Sequence, residues 1–510
     1  MYTDTEVLII GTGFAGLGMS IRLMQEGLTN FTVLEQAGEV GGTWRDNHYP
    51  GVACDVPSHL YSYSFEQNPR WSRLFAPQRE IFDYLKHCAD KYGVRPHIHF
   101  HSEVVKAVFD ERRGQWEVTT QAGKVYRARV LISGSGGLSR PSFPEIPGRE
   151  RFAGKTVHTA RWDHDYPLAG KRVAVIGTGA SAIQVVPGIV DKVGHLSLFQ
   201  RTPAWVLPKP NIRMDDKQQK RLAKNPWLQR AIRNGIYWFL ESRALGFTGH
   251  MPGMQAKTEV QARKFLAQQV KDPLLRAKLT PNYKVGCKRM LISNSYYAAL
   301  QKPNASLVTS GIREITERGI VTQDGVEHEF DAIVFATGFQ AADAVAPFEL
   351  RGRNGLDLNE AWRDGAEAYK GTAVAGFPNF FLLVGPNTGL GHNSMVFMIE
   401  SQLQYVLDGL KQLRARGSDS VVEVKPDVQQ KYNRDLAERM SKTVWATGGC
   451  VSWYQTKSGK NTTLWPGFTF EYRLRTRKFD LENYELRKLE PRSRPREKAQ
   501  PELQAPHPAE

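Results

Sequence analysis

The stretch Glu6-Val-Leu-Ile-Ile10 runs directly into Gly11-Thr-Gly13-Phe14-Ala15-Gly16, and then into Leu17–Gln25 with helical spacing. A short apolar run followed at once by Gly-x-Gly-x-x-Gly reads as the strand, turn and helix of a dinucleotide-binding unit. Gly11 allows the tight turn, Gly13 lets backbone approach a pyrophosphate, and Gly16 lets helix and strand pack closely. The N–H groups that open the helix then face the phosphates. A second apolar run, Phe31-Thr-Val-Leu34, ends in Glu35, placed to accept from a ribose hydroxyl.

The same unit recurs downstream. Lys171–Ile176 leads into Gly177-Thr178-Gly179-Ala180-Ser181-Ala182, with alanine in the third position, and a helix follows. Its second strand, Leu196–Phe199, ends in Gln200-Arg201-Thr202 where an acid would bind a bare ribose. A carboxylate there repels a 2′-phosphate, whereas a guanidinium grips one bidentately. This site is therefore expected to prefer NADPH to NADH. Two such units predict an α/β protein with two dinucleotide-binding, Rossmann-like domains.

The remaining segments fill in around them. Residues 78–93 read as a helix, 97–130 as a β-meander, and Val130–Gly137 as a return to the first sheet. Pro141, Pro144 and Pro147-Gly148 form a stiff connector. From 211 to 280 the chain turns helical and basic. Asn225-Pro226 starts a helix whose Leu228, Ile232, Ile236, Phe239 and Leu240 are expected to face inward. With Trp227, Tyr237 and Trp238 it suits a lid packed on its own protein better than a membrane-surface helix. Asp331–Phe339 is a further buried strand, expected to rejoin the first domain. The organisation expected is 1–140 and 331–486 for the first, discontinuous domain and 141–210 and 281–330 for the second. A helical insertion spans 211–280 and a disordered tail spans 487–510.

Composition narrows the partners. The 510 residues carry a formal charge of +16, from 68 basic against 52 acidic side chains. No basic run or nucleic-acid motif accompanies it, so charge spread to attract phosphate-bearing cofactors is the simpler account. Cys54, Cys88, Cys287 and Cys450 lie far apart without Cys-x-x-Cys. That argues for a reducing compartment, and against a zinc site or a flavin-coupled disulfide. The acidic N-terminus does not read as a signal peptide, and no apolar run reaches the ~18 residues of a membrane span. A cytoplasmic protein is expected.

Just before the second unit stands Phe152-Ala-Gly154-Lys-Thr-Val-His158-Thr-Ala-Arg-Trp162-Asp163. Spelled Phe-x-Gly-x-x-x-His-x-x-x-Trp-Asp, it resembles the fingerprint of the type I Baeyer–Villiger monooxygenases. Gly41-Gly42-Thr43-Trp44, Asn47, Tyr49-Pro50-Gly51, Cys54-Asp55 and Tyr61 resemble the family segment that lies along FAD, departing from it at Arg45 and Asp46. Gly286-Cys287-Lys288-Arg289 resembles its Gly-Cys-Lys-Arg segment, and Ser452-Trp453-Tyr454 its C-terminal segment. The resemblance spans about residues 1–485.

What the resemblance implies is an FAD- and NADPH-dependent enzyme that uses O2 to turn ketones into esters or lactones, with sulfoxidation as a side activity. Thr43, Trp44, Asp55 and Tyr61 would border the flavin, and Lys288 would meet the NADP phosphate. Arg289, oriented by Asp55, would stabilise the flavin peroxide, and Trp453 would close over nicotinamide and substrate. Competing readings are a heteroatom-oxidising or alkyl-chain-hydroxylating flavin monooxygenase and an NADP-binding redox sensor without turnover. His392, in the loop before the helix that follows Ser394, suits a loop histidine better than an acid–base group.

Overall fold

The computed structural model describes residues 2–340, 347–456 and 458–489. Tyr2–Ile10 forms the central strand of the first sheet, flanked in parallel by Phe31–Leu34 and Val125–Ser133. Val104–Asp110, Gln115–Thr120 and Val125–Ser133 make the antiparallel meander read from the sequence. Phe380–Leu382 adds to Val125–Ser133 in parallel, so a late segment of the chain completes this sheet. The helices Phe14–Gln25 and Met395–Arg414 pack on one face, and Gly18 meets Leu403 there.

The second sheet has five parallel strands, in the order Ala305–Val308, His195–Phe199, Arg172–Ile176, Ala332–Phe335, Lys155–His158. Here the structure corrects an expectation. The strand 332–335, expected to rejoin the first domain, is hydrogen-bonded between two strands of the second sheet. A fully apolar strand such as Ala-Ile-Val-Phe suits the centre of any parallel sheet, so its composition could not choose between the two.

Two glycines show why the turns need that residue. A Cβ on Gly16 would stand 1.9 Å from the Gly11 carbonyl oxygen, so any side chain there would push the helix off its strand. Gly177 has φ +115°, and a Cβ would stand 2.4 Å from the Ala336 oxygen.

The insertion is helical, with Asp216–Lys224, Pro226–Glu241 and Pro252–Gln269 its main elements. The expected inward face of Pro226–Glu241 is wrong in part. Gln229, Arg233, Tyr237, Leu240 and Glu241 are the buried residues, while Phe239 is 64% exposed. Specific partners override apolar periodicity: Arg233 donates to the backbone oxygens of His59 (2.8 Å), Leu60 (3.3 Å) and Ser62 (3.0 Å). The expected tail also begins too early, because Tyr484–Lys488 pairs antiparallel with Ser420–Val424. Residues 490–510 lie outside those described.

Candidate active site

The first glycine turn sets Glu35 at the end of its strand, 3% exposed. One carboxylate oxygen accepts from Thr12 N (3.0 Å) and Thr12 Oγ1 (2.6 Å). The other accepts from Ala37 N (2.9 Å) and the Arg45 guanidinium (2.9 Å). Arg45 also pairs with Asp46. The two residues that depart from the resemblance thus build an ion-pair cluster with Glu35. Burial disfavours the Arg45 cation, but Glu35 and Asp46 outweigh it and raise its pKa. Gly13 has open space where a Cβ would lie, its nearest neighbour being Gly42 Cα at 3.8 Å. A backbone cradle that open, with helix N–H groups behind it, fits a pyrophosphate.

Beside it Phe14, Trp44 and Tyr61 form an edge-to-face aromatic group, with ring centroids 5.2 Å and 5.6 Å from Tyr61. Trp44 Nε1 donates to the Tyr61 hydroxyl (3.2 Å). Burial pushes that phenol well above its usual range. Ala15 packs in the core, and Thr43 begins the short helix Thr43–Asp46.

A few residues on, Asp55 meets Arg289 across a sequence separation of 234. Arg289 Nε and Nη2 donate to the two carboxylate oxygens, each at 2.8 Å. Burial would raise the Asp55 pKa, but Arg289, with help from Lys209, holds it below the usual carboxylate value. The Asp55 carboxylate in turn raises the Arg289 pKa against the opposing effect of burial. Both groups therefore stay charged. The Arg289 side chain remains 32% exposed, so its outer edge is open to a ligand. A bidentate clamp fixes the plane of the guanidinium and leaves further N–H donors outside the pair.

Tyr454, which sequence reading quoted without a role, is 1% exposed and lies against that guanidinium. Burial raises its phenol to about 12, with Arg289 opposing the rise. Trp453 is 48% exposed and contacts Tyr454, ring centroids 4.6 Å apart. Position next to Trp453 is the one signal that could have singled Tyr454 out.

The second turn runs Gly177, Thr178, Gly179, Ala180, Ser181 into the helix Ala182–Ile189, and Thr178 Oγ1 donates to the Thr202 oxygen (2.7 Å). Nothing stands within 4 Å of where a Gly179 Cβ would lie. Arg201 and Lys288 converge here: burial first, then the Arg201 charge, lowers the Lys288 pKa. Neither forms an ion pair among the described residues; Lys288 lies over the Tyr283 ring, 5.1 Å from its centroid. Two cations near each other without an acid give the turn a positive potential.

The fingerprint residues lie elsewhere. Phe152 joins a core cluster with Phe330 and Phe335. A Cβ on Gly154 would strike the Asp331 oxygen at 2.6 Å. His158 ends the edge strand, accepts from Ala160 N (3.1 Å), and is lowered to about 4 by burial, so it is neutral at pH 7. Trp162 is buried in the cluster that holds Tyr49, and Asp163 pairs with Lys155. Among the described residues no hydrogen bond or ion pair joins these five to Asp55 or Arg289; His158 ends the strand at the edge of the second sheet.

One part of the cysteine reading, the reducing compartment, is at odds with the structure. Cys287 and Cys450 form a disulfide across 163 residues, while Cys54 and Cys88 are free and buried. Spacing could not reveal it, since the fold alone brings the two segments together. The bridge ties the residue before Lys288 and Arg289 to the segment carrying Trp453. Protein denatured without reductant is expected to take up two iodoacetamide labels per chain, and four after reduction. Mass spectrometry of the intact chain checks this. No helix of the described residues is long and apolar enough to cross a membrane.

Known proteins resemble the chain along most of its length. Residues 8–231 match the family model described as pyridine nucleotide-disulphide oxidoreductase. A Baeyer-Villiger monooxygenase of Pseudomonas aeruginosa is 51% identical over 482 residues, covering 94% of this chain and 91% of that protein. One from Streptomyces coelicolor is 49% identical over 487 residues, covering 95% and 93%. Among solved structures, closed cyclohexanone monooxygenase superimposes with TM-score 0.86 at 30% identity, covering 96% of this chain and 100% of that one. Oxidized steroid monooxygenase bound to NADP gives 0.82 at 32% identity, covering 93% and 97%.

Proposed function

The chain belongs to the type I Baeyer–Villiger monooxygenases, FAD-containing and NADPH-dependent enzymes that use O2 to convert ketones to esters or lactones, and from that premise we propose that Asp55 and Arg289 form the charged centre of the reaction. The observation that carries this reading is the bidentate pair at 2.8 Å with its outer edge open.

The cradle around Gly11, Gly13 and Gly16, with Glu35, Thr43, Trp44 and Tyr61, fits FAD. The second turn from Gly177 to Ala182, with Arg201, Thr202 and Lys288, fits NADPH. When bound, FAD reduced by NADPH and exposed to O2 supplies the oxygen that is inserted beside the ketone carbonyl.

The protein's own contribution is electrostatic and positional. Negative charge develops on oxygen during insertion, and an unpartnered anion out of water is costly. Arg289 cannot lose its proton at any working pH, so the N–H donors it keeps outside the pair meet that charge without a proton transfer. Asp55 holds the guanidinium plane in advance, so little reorganisation is needed when charge appears. Tyr454, buried beside Arg289, excludes water from that side of the guanidinium. Trp453, half-exposed on the neighbouring segment, is placed to cover the site and keep water out.

Purified protein supplied with NADPH, 18O2 and a panel of ketones tests the reading. One labelled oxygen in the ester per NADPH consumed is expected. Heteroatom oxides without any ester would remove the ketone assignment, and NADPH binding without turnover would favour a sensor.

The positive potential at the second turn gives a separate expectation. Arg201→Gln should raise KM for NADPH by about 10- to 100-fold, the loss of one charge-assisted contact to phosphate, and leave KM for NADH nearly unchanged. Steady-state kinetics with both nucleotides checks it. An equal rise for both would mean that Arg201 does not read the 2′-phosphate.

A further inference from the structure

The outward face of the helix Pro226–Glu241 is unusual for a soluble protein. Trp227 is 68% exposed, Trp238 57% and Phe239 64%. The neighbouring helix Thr469–Arg475 extends the patch with Phe470 (37%) and Leu474 (64%). The rings of Trp238 and Phe470 lie 6.0 Å apart, and Phe470 also contacts Phe468 at 5.1 Å. Five large apolar side chains on two adjacent helices exceed the scattered exposure normal for a monomer surface.

The inward face sets Gln229, Arg233 and Glu241 beside Tyr237 and Leu240. Arg233 is clamped to the backbone oxygens of residues 59, 60 and 62, and its guanidinium lies 3.9 Å from Glu400. Glu241 accepts from Asn393 Nδ2 (2.6 Å) and Thr469 Oγ1 (2.7 Å). These buried contacts fix which side turns outward. The helix cannot roll to hide its aromatics without breaking them.

Charge decides between occupants. Lys217, Lys220, Arg221, Lys224 and Arg230 are all exposed on this helix and the one before it, Asp216–Lys224. The only carboxylates on the two helices are Asp216, at the far end, and the buried Glu241. On the neighbouring helix Glu471 is held by Arg439 and Arg475. A second copy of a chain with charge +16 would bring like charges together at this face. Anionic lipid headgroups would receive the basic side chains, while Trp and Phe enter the headgroup boundary.

We propose that the outer face of Pro226–Glu241, with Phe470 and Leu474, seats the protein on an anionic phospholipid surface. The helix lies on the membrane and does not span it, in keeping with the lack of any spanning helix among the described residues.

Co-sedimentation of the FAD-loaded enzyme with sucrose-filled vesicles tests this. Binding to phosphatidylcholine vesicles containing phosphatidylglycerol is expected, with little binding to phosphatidylcholine alone and a decline as salt rises. The double variant Trp238→Ser, Phe239→Ser should partition about tenfold less, and Arg230→Glu should also weaken binding. Both leave ketone turnover in solution at the parent rate, because these side chains lie on the surface. Tryptophan emission should shift to the blue on vesicle binding in the parent and be quenched by brominated lipid. Failure to sediment with anionic vesicles, or sedimentation unaffected by the double variant, would overturn the proposal. So would a solution dimer that the same variant dissociates, which would give the face to a second copy.

Discussion

Arg289→Ala is expected to lower ester formation by about 100- to 1,000-fold while FAD stays bound and NADPH still reduces it. That is the range seen when a preorganised donor to a developing oxyanion is removed, about 2.7–4 kcal/mol of barrier. The bidentate contact to Asp55 is what makes the donor preorganised. Asp55→Asn keeps the shape and one acceptor but loses charge assistance, so a smaller fall of about tenfold is expected. Flavin absorbance and the rate of its bleaching by NADPH separate these losses from simple loss of cofactor. Parent-like ester rates in Arg289→Ala would remove the charged centre from the mechanism.

Glu241→Ala should produce the largest loss of stability. The carboxylate is 1% exposed and accepts from the backbone of Thr469, from its hydroxyl, and from Asn393, with His392 Nε2 at 3.5 Å. Truncation leaves several buried donors without an acceptor at once, a cost on the order of 3–5 kcal/mol. Glu241→Gln retains one acceptor oxygen and should fall between variant and parent. Thermal unfolding followed by circular dichroism and by release of flavin fluorescence checks both. The sign of the pH dependence follows as well. Burial raises the Glu241 pKa, but His392, Thr469 and Asn393 outweigh it, leaving the folded value below that of the unfolded chain. Its stabilising effect is therefore complete above the ordinary glutamate value of about 4.5 and disappears as pH falls through the lower, folded value.

How much of this was legible in the sequence depends on how local each signal is. Ile10, Gly11, Gly16 and Glu35 lie within one strand–turn–helix–strand unit, where spacing alone dictates geometry, and two such units gave the fold class. The strand 332–335 was assigned to the wrong sheet because an apolar strand carries no mark of its neighbours. Asp55 and Arg289 are 234 residues apart, and no periodicity joins them; only the resemblance to a family pairs them. The pairing of Cys287 with Cys450 had no such help, and wide spacing without Cys-x-x-Cys pointed instead to a reducing compartment. The helix Pro226–Glu241 was turned partly the wrong way, since its orientation is set by carbonyls of residues 59–62 and by Thr469. Those partners are remote in sequence, and a helical pattern read alone defaults to apolar side in.

The central claim is that a guanidinium held in a fixed plane, and not positive charge alone, brings oxygen and carbonyl together. The ratio of ester formed to NADPH consumed by the FAD-loaded Arg289→Lys variant tests it, since lysine keeps the charge and loses the clamp. NADPH oxidation is expected to continue, with hydrogen peroxide replacing most of the ester and the ratio falling far below that of the parent. An unchanged ratio at an unchanged rate would contradict it.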